Sequence, residues 1–272
     1  MRVFHNIIFW IYNIMKVLEL FSGTHSIGVV CKELNYDVVS VDRDIGASCK
    51  LNPNYVSENH IQTDIMTWDY KTFPKGSFDI ISASPVCTWW SLLRKCCYGR
   101  IIKGHSEPFC EKLFHQDIDT YGKPMVDKVF EIIEYFEPKY WWIENPKQSE
   151  MWKYIKVIKP QYDNFKTFDY CKFSDFGYKK PTIFLSNIPN LEDVRCKNDC
   201  DNMKILDGKH SNLASNVYGE INGKMTIINT ASKREYCKKH KIKMDKVGGG
   251  NNRLERYRIP KPLIKHLLNH CI

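Results

Sequence analysis

Val17-Leu18-Glu19-Leu20-Phe21-Ser22-Gly23-Thr24, with Ile27 to Leu34 and then Val38-Val39-Ser40-Val41-Asp42, is the stretch on which the fold turns. Its first five residues read as a strand, Ser22-Gly23-Thr24 as a tight turn, Ile27 to Leu34 as a helix with apolar residues at helical spacing, and Val38 to Val41 as a second strand ending on Asp42. Strand, glycine turn, helix, strand and acid begin a nucleotide-binding α/β unit. Gly23 and Gly28 let backbone approach a ligand, and an acid closing the second strand suits two ribose hydroxyls. The three-glycine dinucleotide signature is absent.

Working outward, Ile61 to Ile65 reads as a third short strand with Asp64 at the sheet edge, and Phe78 to Ile81 as a buried strand feeding Ser82-Ala-Ser-Pro-Val-Cys-Thr-Trp-Trp-Ser91. Pro85 and Cys87 thereby fall on a loop at a strand's carboxyl end, where open α/β sheets keep their chemistry. A thiol on a stiff turn beside aromatic walls is placed to attack a flat, electron-poor ring; a buried structural cysteine is the plainer alternative. Residues 92–122 lack periodicity and read as a mobile loop whose Arg94, Lys95, Arg100 and Lys103 suit a phosphate backbone. Met125 to Phe136 reads as an amphipathic helix, Trp141 to Ile143 as a strand stopped by Glu144-Asn145-Pro146, and Tyr162 to Phe173 with Thr182 to Leu185 as an antiparallel pair.

The organisation expected is an N-terminal extension (1–14), an α/β domain with a doubly wound, Rossmann-like sheet (15–187), a small irregular region rich in Asn, Asp, Lys and Gly (188–256), and a terminal helix (257–272) packing back on the domain. The chain has 272 residues and is 43% hydrophobic, sufficient for a sizeable core; Lys+Arg 40 against Asp+Glu 31 gives +9, which favours a polyanionic partner without requiring one. Eleven cysteines without a regular framework fit a reducing intracellular compartment. The apolar opening, Met1 to Ile14, is too short to span a bilayer, and no membrane partner is expected. Cys196, Cys200, His210, Cys237 and His240 have donor types and spacings seen in zinc sites, but lysine-rich loops collect such residues by chance, and no metal is assigned from them; Cys171 reads as a core or motif residue.

In order, these stretches resemble the DNA cytosine-5 methyltransferases, especially the compact versions of phages and large DNA viruses. Leu18 to Gly23 matches the motif that holds the methionine part of S-adenosyl-L-methionine, Asp42 the acid for its ribose, Asp64 the residue near its adenine, Pro85-Val86-Cys87 the nucleophile loop, Glu144-Asn145-Pro146 the Glu-Asn motif, and Tyr170-Cys171 through Lys180-Pro181-Thr182 the eighth motif. The match runs from Met15 to Asn187 and resumes from Arg258 to Leu268. Val86 stands where proline is more usual, and Lys179 and Lys180 where many members carry glutamine and arginines.

The resemblance implies Cys87 and Glu144 as catalytic residues, with Phe21, Ser22, Gly23, Asp42, Asp64 and Pro85 holding S-adenosylmethionine. Lys179, Lys180 and Thr182 would meet the substrate. Residue chemistry agrees. Cytosine C5 becomes nucleophilic only after addition at C6, for which a thiolate is suited, and a carboxyl group must then serve N3. A ring within a duplex cannot reach Cys87, so double-stranded DNA with a flipped cytosine is the implied partner of a monomeric enzyme. Two other readings stay open: an RNA cytosine-5 methyltransferase of the transfer-RNA type, and a catalytically silent relative that binds DNA.

Overall fold

The computed structural model describes residues 14–44, 59–174, 179–200, 217–221, 224–228 and 257–271. Strand β1 (Lys16–Leu20) leads into helix α1 (Ser26–Glu33), then β2 (Asp37–Asp42), β3 (His60–Gln62) and β4 (Ile80–Ala83). Helices α2 (Glu111–Asp117) and α3 (Lys123–Phe136) precede β5 (Tyr140–Pro146), and α4 (Met151–Ile158) separates it from β6 (Phe165–Asp169) and β7 (Pro181–Ser186). A two-stranded antiparallel sheet, β8 (Val217–Ile221) with β9 (Lys224–Ile228), and α5 (Lys261–Asn269) complete the described elements.

The main sheet has seven strands in the order β3-β2-β1-β4-β5-β7-β6. The first five strands in that row run parallel, and β7 is antiparallel to both its neighbours. Side chains alternate across it because successive residues of a strand point to opposite faces. Leu18, Leu20, Ile81, Ala83, Trp141 and Ile143 join one core with α3 and α4, whereas Val17, Ile80 and Trp142 join another with α1 and α5. Burying a leucine or isoleucine contributes about 1.5–3 kcal/mol each, so Leu263, Ile264, Leu267 and Leu268, all at most 1% exposed, hold α5 to the domain.

Residues 92–122 correct the loop reading. They form a 3-10 helix (Leu92–Cys97), α2, and a π-helical turn (Ile118–Gly122) continuous with α3. Phe109, Phe114 and Ile118 anchor this segment in the core. Gly122 is required by close approach, since a Cβ there would lie 2.8 Å from the Trp90 ring. Nor is Arg94 a free phosphate ligand: its guanidinium donates to Asp117 (2.5 Å) and lies 4.5 Å from the centroid of the Phe109 ring. Lys95 pairs at the surface with Glu111, and Arg100 and Lys103 are exposed. Periodicity also missed α4. The packed body runs beyond Asn187: Ile188 and Leu191 are buried, and Val194 bridges to Phe168.

Candidate active site

A parallel sheet whose strand order reverses beside β1 leaves a crevice at the carboxyl ends of its strands. Here it is a cleft of about 1310 Å³. Its lining comes from the segments following β1 (Leu20–Thr24), β2 (Val41–Asp44), β3 (Thr63–Met66), β4 (Ser84–Thr88) and β5 (Glu144–Ser149), with Lys179 and Lys180 at one side.

The β1 turn is bent by two left-handed residues, Phe21 (φ 57°) and Gly23 (φ 44°). Gly23 donates its N–H to Asp42 Oδ2 (2.8 Å), and Asp44 donates to Asp42 Oδ1 (2.8 Å). Each carboxylate oxygen retains a lone pair, so Asp42 both shapes the turn and stays competent to accept hydroxyls. Glu19, buried at 3% exposure, points at the start of α1 and accepts the N–H groups of Ile27 (3.0 Å) and Gly28 (3.2 Å) and the Ser40 hydroxyl (2.8 Å). A carboxylate there satisfies donors that a helix start leaves unpaired and meets the favourable end of its dipole. The matched motif's glutamate is therefore engaged in scaffolding the start of α1, a role that sequence reading did not assign.

On the opposite wall, Pro85 is buried and Cys87 half-buried at the start of a 3-10 turn (Cys87–Trp90). Asn145 explains the second half of the Glu-Asn pair: its side-chain N–H donates to the Pro85 carbonyl (2.8 Å), tying the end of β5 to the cysteine loop. Glu144, 7% exposed, accepts the Tyr170 hydroxyl at 3.2 Å. The Lys180 ammonium lies 4.7 Å from the centroid of the same Tyr170 ring. Trp89 and Tyr121 stack with centroids 4.7 Å apart and both face the cleft, giving the loop an aromatic flank.

Of the residues matched by sequence, Phe21, Ser22, Gly23, Asp42, Asp64, Pro85, Cys87, Glu144, Lys179 and Lys180 all line this one cleft. Thr182 is not among the lining residues. It is fully buried in β7 and donates its hydroxyl to the Lys180 carbonyl (3.4 Å), so its contact is with the lysine backbone. Lys179 is engaged away from the cleft centre, donating to the Cys196 carbonyl (2.9 Å) and lying 3.4 Å from Asp169. Asp64 accepts the Met66 N–H (3.0 Å) and thus braces its own loop. Asn145 and Tyr170 went unassigned in the sequence because their roles depend on partners 60 and 26 positions away.

Fold and site together define an α/β methyltransferase of the Rossmann-like class. The family model described as "C-5 cytosine-specific DNA methylase" matches residues 15–179, and the chain belongs to that family. It is 30% identical over 264 residues to a protein of Frog virus 3 (isolate Goorha) named "Probable DNA (cytosine-5)-methyltransferase", with 94% of this chain and 100% of that protein covered. Among solved structures, Entamoeba histolytica methyltransferase EhMeth shares the fold at a TM-score of 0.55 and 14% identity, over 95% of this chain and 98% of that one.

Family membership implies S-adenosylmethionine as methyl donor, and the cleft fits it. Ser22 Oγ is a buried hydroxyl on the cleft wall without a hydrogen-bond partner among the described residues, and the Asp42 carboxylate retains acceptor capacity beside it. Burying such a hydroxyl unpaired costs about 1–3 kcal/mol, which a polar ligand group would offset.

Proposed function

We propose that this protein methylates C5 of cytosine in DNA through a covalent adduct between Cys87 and C6 of a flipped base. The observation that carries the reading is that one cleft is faced by a thiol, a buried carboxyl group and an acid-edged turn of the type that holds a nucleoside.

When bound, S-adenosylmethionine supplies an electrophilic methyl group. Phe21, Ser22 and Gly23 would cradle its amino-acid end, Asp42 its ribose hydroxyls and Asp64 its base edge. Cys87, as thiolate, adds its sulfur to C6 and forms the C–S bond, sending the electron pair through the ring toward N3. Glu144 meets the charge there by donating a hydrogen bond or proton. With 7% exposure and the Tyr170 hydroxyl fixing one oxygen, it is held in one orientation. After methylation, loss of the C5 proton and departure of the Cys87 thiolate restore aromaticity. Asn145 acts through the Pro85 carbonyl, keeping the cysteine loop against β5. Flipping costs a few kcal/mol, which contacts to the extruded base and the strand must repay; the +9 balance supports phosphate binding.

The test uses duplex DNA containing 5-fluorocytosine with S-adenosylmethionine, read on a denaturing gel. Fluorine cannot leave as a proton does, so the parent should stall as a covalent band and Cys87→Ser should give none, with methyl transfer to normal DNA falling on the order of 10⁴-fold or more. An adduct with fluorocytosine RNA but none with DNA would move the substrate to RNA. No adduct with either, alongside measurable DNA binding, would leave a silent relative.

A further inference from the structure

Behind the lysine pair, three cysteine sulfurs lie within 4.8 Å of one another. Cys171 sits on the 3-10 turn after β6, and Cys196 and Cys200 lie in the segment after β7. All three are buried, at 3%, 5% and 6% exposure, in a cluster of their own apart from the two large cores. The approach is built rather than incidental. Val194 exchanges backbone hydrogen bonds with β6, accepting the Asp169 N–H (2.9 Å) and donating to the Thr167 carbonyl (3.0 Å). Asp169 Oδ2 then accepts the Cys196 N–H (2.8 Å).

The Cys196-Lys197-Asn198-Asp199-Cys200 turn is also shaped around sulfur. Asn198 takes a left-handed conformation (φ 66°), and the Asp199 carboxylate accepts the Lys197 N–H (3.0 Å). The backbone N–H groups of Asp199 and Asn198 are directed at the Cys196 sulfur. Ion pairs brace the two segments beside the sulfurs: Lys172 with Asp199 (3.1 Å), and Lys179 and Arg195 with Asp169 (3.4 and 3.2 Å).

We propose that Cys171, Cys196 and Cys200 are three ligands of a zinc ion that fastens residues 194–200 to the turn after β6. The Cys-x3-Cys spacing lies within the range of zinc turns, and a tetrahedral site with Zn–S of about 2.3 Å needs sulfurs about 3.8 Å apart, a contraction of about 1 Å from the widest spacing here. Zinc displaces the three thiol protons and forms three Zn–S bonds, with no electron transferred; the fourth position takes a water or a further side chain. Because Lys179 donates to the Cys196 carbonyl, the ion would also position a lysine on the cleft rim.

The full-length chain, prepared without chelator or metal-affinity steps, should carry one zinc ion by elemental mass spectrometry. Replacement by cobalt(II) should give the thiolate-to-cobalt charge-transfer absorption of a tetrahedral sulfur site. The double variant C196S/C200S should lose both signals. Cys171→His, which keeps a zinc donor, should retain metal where Cys171→Ser does not, separating lost ligation from lost folding. The proposal is overturned if the parent holds no zinc and gives no charge-transfer band with added cobalt. It is equally overturned if C196S/C200S keeps its zinc, or if two of the three thiols prove joined as a disulfide in a metal-free chain.

Discussion

The two walls of the cleft are made in different ways. The wall of Phe21, Ser22, Gly23 and Asp42 is assembled within one βαβ unit, from backbone turns and a carboxylate that accepts backbone N–H groups 19 and 2 positions away. The wall of Cys87 and Glu144 depends on side chains reaching across the fold. Asn145 holds the Pro85 carbonyl, Tyr170 holds Glu144, and Arg94 and Asp117 brace the segment that follows the cysteine loop. The first wall is therefore sensitive to local conformation, whereas the second is sensitive to residues that touch no ligand.

The sharpest separation of the walls comes from Glu144→Gln. It should lower the methylation rate about 10²–10⁴-fold, the range for losing a positioned acid, while S-adenosylmethionine affinity measured by calorimetry stays within about twofold. If affinity falls as far as rate, the two walls are not independent. Arg94→Ala comes next. Its guanidinium is 12% exposed and Asp117 7%, so truncation leaves a buried carboxylate paired, among the described residues, with His105 alone (3.0 Å). Breaking a buried pair in this way costs about 3–5 kcal/mol, which urea unfolding would register, and D117N added to R94A should recover part of it. No loss of stability would show that this wall does not rest on the pair. Asp42→Ala has the smallest expected effect. Losing hydrogen bonds to a charged acceptor costs about 1.5–3 kcal/mol, so cofactor binding should weaken about 10- to 100-fold while kcat at saturating cofactor changes far less. A fall in kcat alone would move Asp42 to the other wall.

A related contrast separates two sets of thiols. Cys87 lies on the loop after β4, at the carboxyl ends of the strands, and faces a cleft, whereas Cys171, Cys196 and Cys200 are closed in together on the far side of the lysine pair. Under the proposed roles, depth and neighbours would suit the half-buried thiol to attack and the buried trio to holding an ion.

The amino-acid sequence by itself determined the strands of the seven-stranded sheet, though not the β8–β9 pair, together with the order of the motifs and the residues at strand ends. Alternation with period two and helical spacing are properties of adjacent residues, and a strand's carboxyl end lies where its apolar run stops. That Asp42, Cys87 and Glu144 fall at or beyond strand ends was legible for that reason, and all three line the cleft. Only the tertiary structure decided that residues 92–122 are ordered, that Glu19 serves α1, that Asn145 anchors the cysteine loop, and that Cys171 belongs with Cys196 and Cys200 while His210, Cys237 and His240 lie outside the described residues. Each of these rests on a pair or trio of groups brought from distant positions into hydrogen-bond or van der Waals contact. Such contacts leave no periodic trace in the chain, because their free energy arises only when long-range packing removes both partners from water.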